Sequence, residues 1–330
     1  MEKNETAATP PTESTVPPAE KGASLFAEME RERARIKWYG RLSIAAFALY
    51  PVEIFVCQYI EFEGGPILLF QALLLFLLPV GISRMLFGKS VDAGAQYAVK
   101  YSDIFKKVVT QDKLEAAFRD APFETPVYEP DKGLGKEEIR ELGFFPPVDF
   151  YTSDDLIEGK YKGIRFSHAD CSLVREETRR EKNRSYKVNV TVFRGRIFRF
   201  TFEDAFPGEL RVISEFFKAV DKSSPSWEYL ETESFDFNEK FYCYAKDPIA
   251  GLTILKPQVI TKILGLREWF EKPLALYFSG NEAFLFLHID RDTFTVSCDK
   301  TVEEEKHKVD WEVELLLHSL EAMSGILPKE

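Results

Sequence analysis

The charge-free stretch from Gly64 to Ser83 (GGPILLFQALLLFLLPVGIS) constrains this chain more than any other feature. Within it, Leu73 to Leu78 puts large apolar side chains on every side of a helix, so no face is left for water. At a rise of about 1.5 Å per residue the stretch is long enough for a bilayer core of roughly 30 Å. It is preceded by a first apolar run, Leu42 to Ile60 (LSIAAFALYPVEIFVCQYI), which carries one charge, Glu53, and a kink-prone Pro51. The competing reading is a buried hairpin in a protein core. Pro51, Glu53 and Gln58 favour it for the first run, and the second run argues against it. The pair predicts a two-span transmembrane helical hairpin over 42–90, with the spans made antiparallel neighbours by the short turn around Glu61 and Glu63.

The flanking charges orient this hairpin. Arg31, Arg33, Arg35, Lys37 and Arg41 precede the first run, Arg84 and Lys89 follow the second, and the turn is acidic. Basic flanks stay on the cytoplasmic side, which places both termini in the cytoplasm. Arg33, Arg35, Lys37, Trp38 and Arg41 form a basic, aromatic collar suited to anionic lipid head groups, although topology alone accounts for the same pattern. Glu53 at membrane depth is either a proton or ion site or a protonated, hydrogen-bonded carboxyl, and the missing second intramembrane charge favours the latter.

Composition narrows the rest. The 330 residues carry 43 Lys+Arg against 54 Asp+Glu, a formal charge of −11, with no strongly basic tract to pair with phosphates, so nucleic-acid binding is not expected. Cys57, Cys171, Cys243 and Cys298 are widely spaced and form neither a disulfide framework nor paired zinc-ligand motifs. Residues 1–23 hold Pro10, Pro11, Pro17 and Pro18 among small and polar side chains and read as a disordered tail. Residues 24–41 read as a basic juxtamembrane helix with Ser24 at its N-cap.

From residue 91 to 330 the chain reads as a cytoplasmic α+β domain with antiparallel sheets and flanking helices, divided into subdomains near 205–240. Val91 to Phe118 has helical spacing, and a helical interlude over Lys136 to Leu142 ends at Gly143. Strand patterns follow at Tyr161–Ser167, Ser172–Glu177, Tyr186–Phe193 and Arg196–Phe202, with Arg194-Gly195 read as a tight turn between the last two. Further strands are expected at Phe241–Tyr244 and Leu252–Leu255, then a helix over Pro257–Phe270. A hairpin of Leu274–Ser279 and Ala283–Ile289 turns at Gly280-Asn281, and an apolar-sided helix over Val309–Leu327 closes the chain.

Several motifs are weighed for chemistry. Gly88-Lys89-Ser90 lacks the upstream glycine and strand of a P-loop. His168 and Cys171 offer one short metal-ligand spacing where zinc needs two, and in a strand they face opposite ways, so no metal or cofactor is expected. Asp149, Asp154, Asp155 and Glu158 form an acidic cluster that reads as a solvated strand end and helix N-terminus, and His288, Asp290 and Asp292 suggest acid/base chemistry only weakly. The densest mixture of aromatic and charged side chains, Tyr151, Asp154, Asp155, Lys160, Tyr161, Gly163 and Phe166, marks a surface for a peptide or small polar ligand. The plainer alternative makes Tyr161 and Phe166 core residues and the charges solvent-facing.

The stretches YEPDKGLGKEEIRELGFFP (Tyr128–Pro146), DFYTSDDLIEGKYKGIRFSHAD (Asp149–Asp170) and VFRGRIFRFTF (Val192–Phe202), followed by Phe241–Phe270 and Leu274–Ile289, resemble the bacterial membrane-tethered family catalogued as domain of unknown function 3137. The resemblance implies an inner-membrane address and this order of parts. It brings no reaction, and His168 and Cys171 are not part of its pattern. The resulting expectation is a membrane-anchored interaction module whose partners are the bilayer and a protein or small ligand of unknown identity. The alternatives are a membrane-associated enzyme with hydrolase-like acid/base chemistry and a channel or transporter subunit. The last requires a homo-oligomer, because two spans cannot enclose a pathway.

Overall fold

The computed structural model describes residues 18–48, 66–181, 184–218, 226–290 and 295–326, without the side chains of 18–21 and 66–78. The turn at 61–65, most of the first apolar run with Glu53 and Cys57, Asp292 and residues 1–17 of the predicted tail lie outside the described residues. The chain forms two compact units, one of residues Met1–Tyr101 with Val296–Glu305, the other of Ser102–Thr295 with Lys306–Glu330.

The first unit is built on two helices, α1 (Pro18–Ala48) and α2 (Pro66–Phe105), the second of which continues past the unit's boundary. α1 begins at Pro18 rather than Ser24, so residues 18–23 belong to the helix and Ser24 lies inside it. Proline is well placed there, since the first turn of a helix has no partner for its N–H groups. The two helices run antiparallel. Lys100 Nζ reaches Glu28 at 2.9 Å and Glu32 at 3.0 Å, Ser90 Oγ donates to the Ile36 carbonyl, and Ser43 and Ser83 each donate a hydroxyl to the other's carbonyl at 2.9 Å. Met29, Ile36, Tyr97 and Tyr101 are buried in this unit. Gly88-Lys89-Ser90 lies within α2.

The second unit opens with a π-helical turn (Lys106–Thr110) and α3 (Gln111–Asp120). Next come β1 (Phe123–Glu129), α4 (Lys136–Glu141), β2 (Phe150–Tyr161), β3 (Ile164–Glu181), β4 (Arg184–Thr201), β5 (Leu210–Ile213) and α5 (Glu215–Lys218). The chain continues through β6 (Glu228–Leu230), α6 (Phe235–Lys240), β7 (Tyr242–Ala245), α7 (Pro248–Ile254), α8 (Pro257–Phe270), β8 (Leu274–Ser279), β9 (Glu282–His288) and α9 (Val302–Met323). The strands form one antiparallel sheet in the order β1-β2-β3-β4-β9-β8-β5-β7-β6. Residues 205–240, where the sequence suggests a divide, therefore contribute β5 and β6 to a continuous sheet.

Alternation along β4 fixes the two faces. Phe198 and Phe200 join the core beneath α8 and α9 with Val259, Ile263, Leu315 and Leu320, while Phe193 and Ile197 join the opposite core with Phe144, Phe217 and Phe286. The predicted helix over Pro257–Phe270 and the hairpin at Gly280 appear as expected, with Gly280 at φ 58°. Leu252–Leu255 is not a strand. Pro248 opens α7, and the Asp247 side chain accepts from the amides of Ile249 and Ala250, capping a helix over the apolar run.

Arg194-Gly195 is not a turn either. Both residues lie within β4, paired with Ser172 and Cys171 of β3, and Gly195 also faces His288 of β9. At φ 150° a Cβ on Gly195 would lie 2.7 Å from the Ile289 nitrogen and would overlap the Leu287 carbonyl, so glycine permits a close crossing of backbones.

Among the residues described in full, no single helix is long and apolar enough to cross a membrane. The bent pair α7–α8, at 68°, has the length and composition, but Ile254, Leu255, Val259, Ile263, Leu266 and Phe270 are all buried in the domain core.

Candidate functional site

A groove of about 470 Å³ opens on the face of the sheet opposite α9. It lies between α4 and the segment Phe144–Val148. Gly133 brings the preceding loop against β2, where any Cβ would overlap Ser153, and the Leu134 amide donates to Ser153 Oγ at 3.0 Å. The six residues of α4 turn one apolar side chain, Ile139, into the core, and Gly143 at φ 59° redirects the chain. Phe144 then stacks on Phe286 with centroids 4.5 Å apart, and Phe145 meets Phe286 and Phe193 at 5.3 and 5.2 Å. These aromatic anchors hold Pro146, Pro147 and Val148 as one wall of the groove, with Leu173 and Tyr151 beside them.

Polarity in the groove is segregated. Lys136, Glu137 and Arg140 all come from α4. Arg140 pairs with Glu137 at 2.6 Å, while Lys136 forms no ion pair among the described residues. The Tyr151 hydroxyl donates to the Leu134 carbonyl at 2.9 Å and lies 3.7 Å from Cys171 Sγ. Burial pushes the Cys171 thiol up to about 12 and raises the Tyr151 phenol above its ordinary value, so neither serves as a nucleophile near neutral pH.

Charge is concentrated on the other face of the sheet. Arg196 of β4 is fully buried and lies 2.9 Å from Asp170 across the β3–β4 pairing and 3.1 Å from Glu312 of α9. Burial works against the Arg196 charge, but Asp170, Glu312 and Asp155 outweigh it and its pKa rises. Beside it, Lys106 of the π-turn lies 2.8 Å from Asp155 and 3.3 Å from Asp154, and Tyr128 donates to Asp155 at 2.7 Å. Burial pushes the Asp155 carboxyl up to about 6, against the pull of Lys106 and with added repulsion from Asp154. His168, buried against Phe198 at 4.2 Å, has its pKa driven well down by burial and by Arg196. Each carboxylate here faces a fixed cation, so the cluster ties β2, β3, β4 and α9 together and presents no free general base.

The structure scatters the surface that sequence reasoning groups together. Asp154 and Asp155 lie in β2 at a bulge, not at a helix N-terminus, and Asp155 has φ 58°. Tyr151 packs toward the groove, on the opposite side of the sheet from Asp155. Lys160 is 3.9 Å from Glu124, and Gly163, at φ 85°, makes the β2–β3 turn. Tyr161 and Phe166 are core residues, and the Tyr161 hydroxyl donates to Glu321 at 3.0 Å. Of the seven, Asp154 and Asp155 meet at Lys106, and Tyr161 and Phe166 meet in the core against Phe123.

In the first unit, Arg33 pairs with Glu30 at 2.6 Å, Lys37 donates to the Asp299 carbonyl, and Arg35, Trp38 and Arg41 are exposed. Lys37 and Arg41 line a hollow of about 430 Å³ with Ile36, Ile44 and Asp299.

His168 and Cys171 are buried on opposite faces of β3, and His288 stacks on Phe216 at 4.0 Å with its pKa lowered by burial. Among the described residues no cluster of three His, Cys, Asp or Glu side chains could hold a metal ion. Sequence reasoning missed Lys136, Arg140, Arg196 and Glu312. For Arg196 a signal existed, because it shares the strand parity of Phe198, Phe200 and Phe202 and so falls on an apolar face.

No curated protein matches the chain. Among solved structures, the crystal structure of the mycobacterial trehalose monomycolate transport factor A, TtfA, is similar over 66% of this chain and 94% of that one, at 11% identity and a TM-score of 0.29, too low a likeness to inform fold or function. The stretches Tyr128–Pro146 and Asp149–Asp170 fall outside the family match that follows. Residues 191–327, from the inner half of β4 to beyond α9, match the model of a protein family of unknown function, DUF3137.

Proposed function

We propose that the protein is a membrane-anchored interaction module of the bacterial inner membrane, held by a two-span hairpin with both termini cytoplasmic. Its second unit binds a partner or ligand in the groove beside α4. The observation that carries the binding role is that groove: concave, mostly apolar, charged along one rim, and within the size range of small-molecule sites.

Support for the anchor comes from the charge-free run Gly64–Ser83 and from the apolar side chains bordering it. Ile44, Phe47 and Phe87 are 72%, 61% and 62% exposed, a costly arrangement in water and a favourable one against lipid. The reciprocal Ser43–Ser83 hydrogen bonds suit helices that meet where water is scarce.

Two measurements test the two parts. Membranes washed at alkaline pH retain the full chain if the hairpin spans the bilayer, and its release into the wash overturns the anchor. A photo-crosslinking side chain at Val148 in cells yields a discrete adduct that the same side chain at Lys160 does not. Identical patterns from both positions overturn the groove as the binding surface.

A further inference from the structure

We propose that the groove beside α4 takes an amphipathic small molecule with an aliphatic body and one anionic group, an alkyl carboxylate being the simplest case. This rests on the groove being the binding surface and adds the class of ligand.

Three features lead to this class. Charge complementarity comes first. Lys136 and Arg140 stand one helical turn apart on the same side of α4, and Glu137 compensates only Arg140, so the rim keeps one uncommitted cation in a protein whose net charge is −11. The remaining lining is apolar. Ile139, Phe145, Val148 and Leu173 offer no polar atom beyond the backbone, and the Tyr151 proton is committed to the Leu134 carbonyl. A ligand with polar groups along its length would lose their hydration without replacement, whereas an alkyl chain loses none.

The third feature argues against an extended peptide. Peptides bind sheets by adding to an open edge, but Leu173, the β3 residue that lines the groove, is paired on both sides, by Tyr151 of β2 and Phe193 of β4. The opposite wall contains Pro146 and Pro147, which have no N–H to donate. A peptide backbone would find few partners there.

The test uses the full chain in zwitterionic nanodiscs, with calorimetric titration of octanoate, octan-1-ol and octyltrimethylammonium after subtraction of empty nanodiscs. Octanoate binds at one site per chain, and more tightly than the alcohol or the cation. Lys136→Glu weakens octanoate by about fivefold or more and improves the cation, while Lys136→Arg retains octanoate binding. Val148→Trp fills the groove and lowers octanoate affinity at least about tenfold, with circular dichroism confirming that each variant is folded. Equal affinity for octanoate and octan-1-ol overturns the anionic class, as does octanoate binding unchanged by both Lys136→Glu and Val148→Trp. A groove-specific crosslink to a protein, together with no octanoate binding, overturns this inference and leaves the module reading in place.

Discussion

The fully buried guanidinium of Arg196 lies 2.9 Å from the carboxylate of Asp170, its direct neighbour across the β3–β4 pairing. Together with Glu312 this makes a three-residue ionic bridge from the sheet to α9. Removing one member of such a bridge takes a charge partner from the buried others, which costs far more than the bridge contributes over an apolar core. Arg196→Met is therefore expected to destabilise the protein by about 3–5 kcal/mol. The triple substitution Arg196→Met, Asp170→Val, Glu312→Leu should recover most of that loss. Urea unfolding of the two variants checks this, and a triple variant no more stable than the single one contradicts it.

Asp155 supplies a pH dependence with a definite sign. Its folded-state pKa is pushed up to about 6 by burial, above the value near 3.9 expected in an unfolded chain. The folded state thus binds the proton more tightly than the unfolded state. Above pH 6 the carboxylate is charged in both states and the full cost of burying it is present. As pH falls from 6 to 4 that cost is relieved, by about 3 kcal/mol in total for a shift of this size. Wild-type stability measured relative to Asp155→Asn should rise by that order between pH 7 and pH 4. Parallel stability profiles for the two proteins would show that Asp155 is not titrating in this window.

Gly195 gives a steric prediction. With φ 150° and the Leu287–Ile289 backbone pressed against it, Gly195→Ala must displace β9 from β4. A loss of at least about 2 kcal/mol follows, with the amides of Leu287 and Ile289, which face β4, becoming faster to exchange with deuterium. Gly163→Ala, whose Cβ would meet nothing within 4 Å, carries only the strain of φ 85° and should cost less.

Local signals in the sequence locate much of this fold. The period of Pro257–Phe270 and the alternation around Gly280 each belong to one contiguous segment, and both elements form as read. Misreadings arise where one residue type serves two geometries. Gly195 is as compatible with a turn as with a crowded strand, and only the approach of β9 decides between them. Asp154 and Asp155 resemble a helix-starting pair, yet a bulge aims Asp155 at Lys106, which lies 49 positions earlier in the chain. The groove is still less visible, since α4, Val148 and Leu173 become neighbours only when the sheet forms. Arg196 is the exception, because a charge that keeps the parity of Phe198 and Phe200 in one strand shares their buried face.

The pair α7–α8 is where composition and packing point in different directions. By hydropathy the two helices could make a broken membrane span, but Ile263 is buried under the sheet while Leu252 is 47% exposed. If the pair is a core element, truncation should follow this burial. Ile263→Ala is expected to cost about 2–5 kcal/mol and Leu252→Ala no more than about 0.5 kcal/mol. In a lipid-facing span the two would instead have similar, small effects on stability, and both positions would react with a lipid-soluble carbene label. Labelling of cysteines placed at 263 and 252 with a water-soluble maleimide separates the cases. The core arrangement makes position 252 reactive and position 263 protected until the domain unfolds, whereas a span protects both.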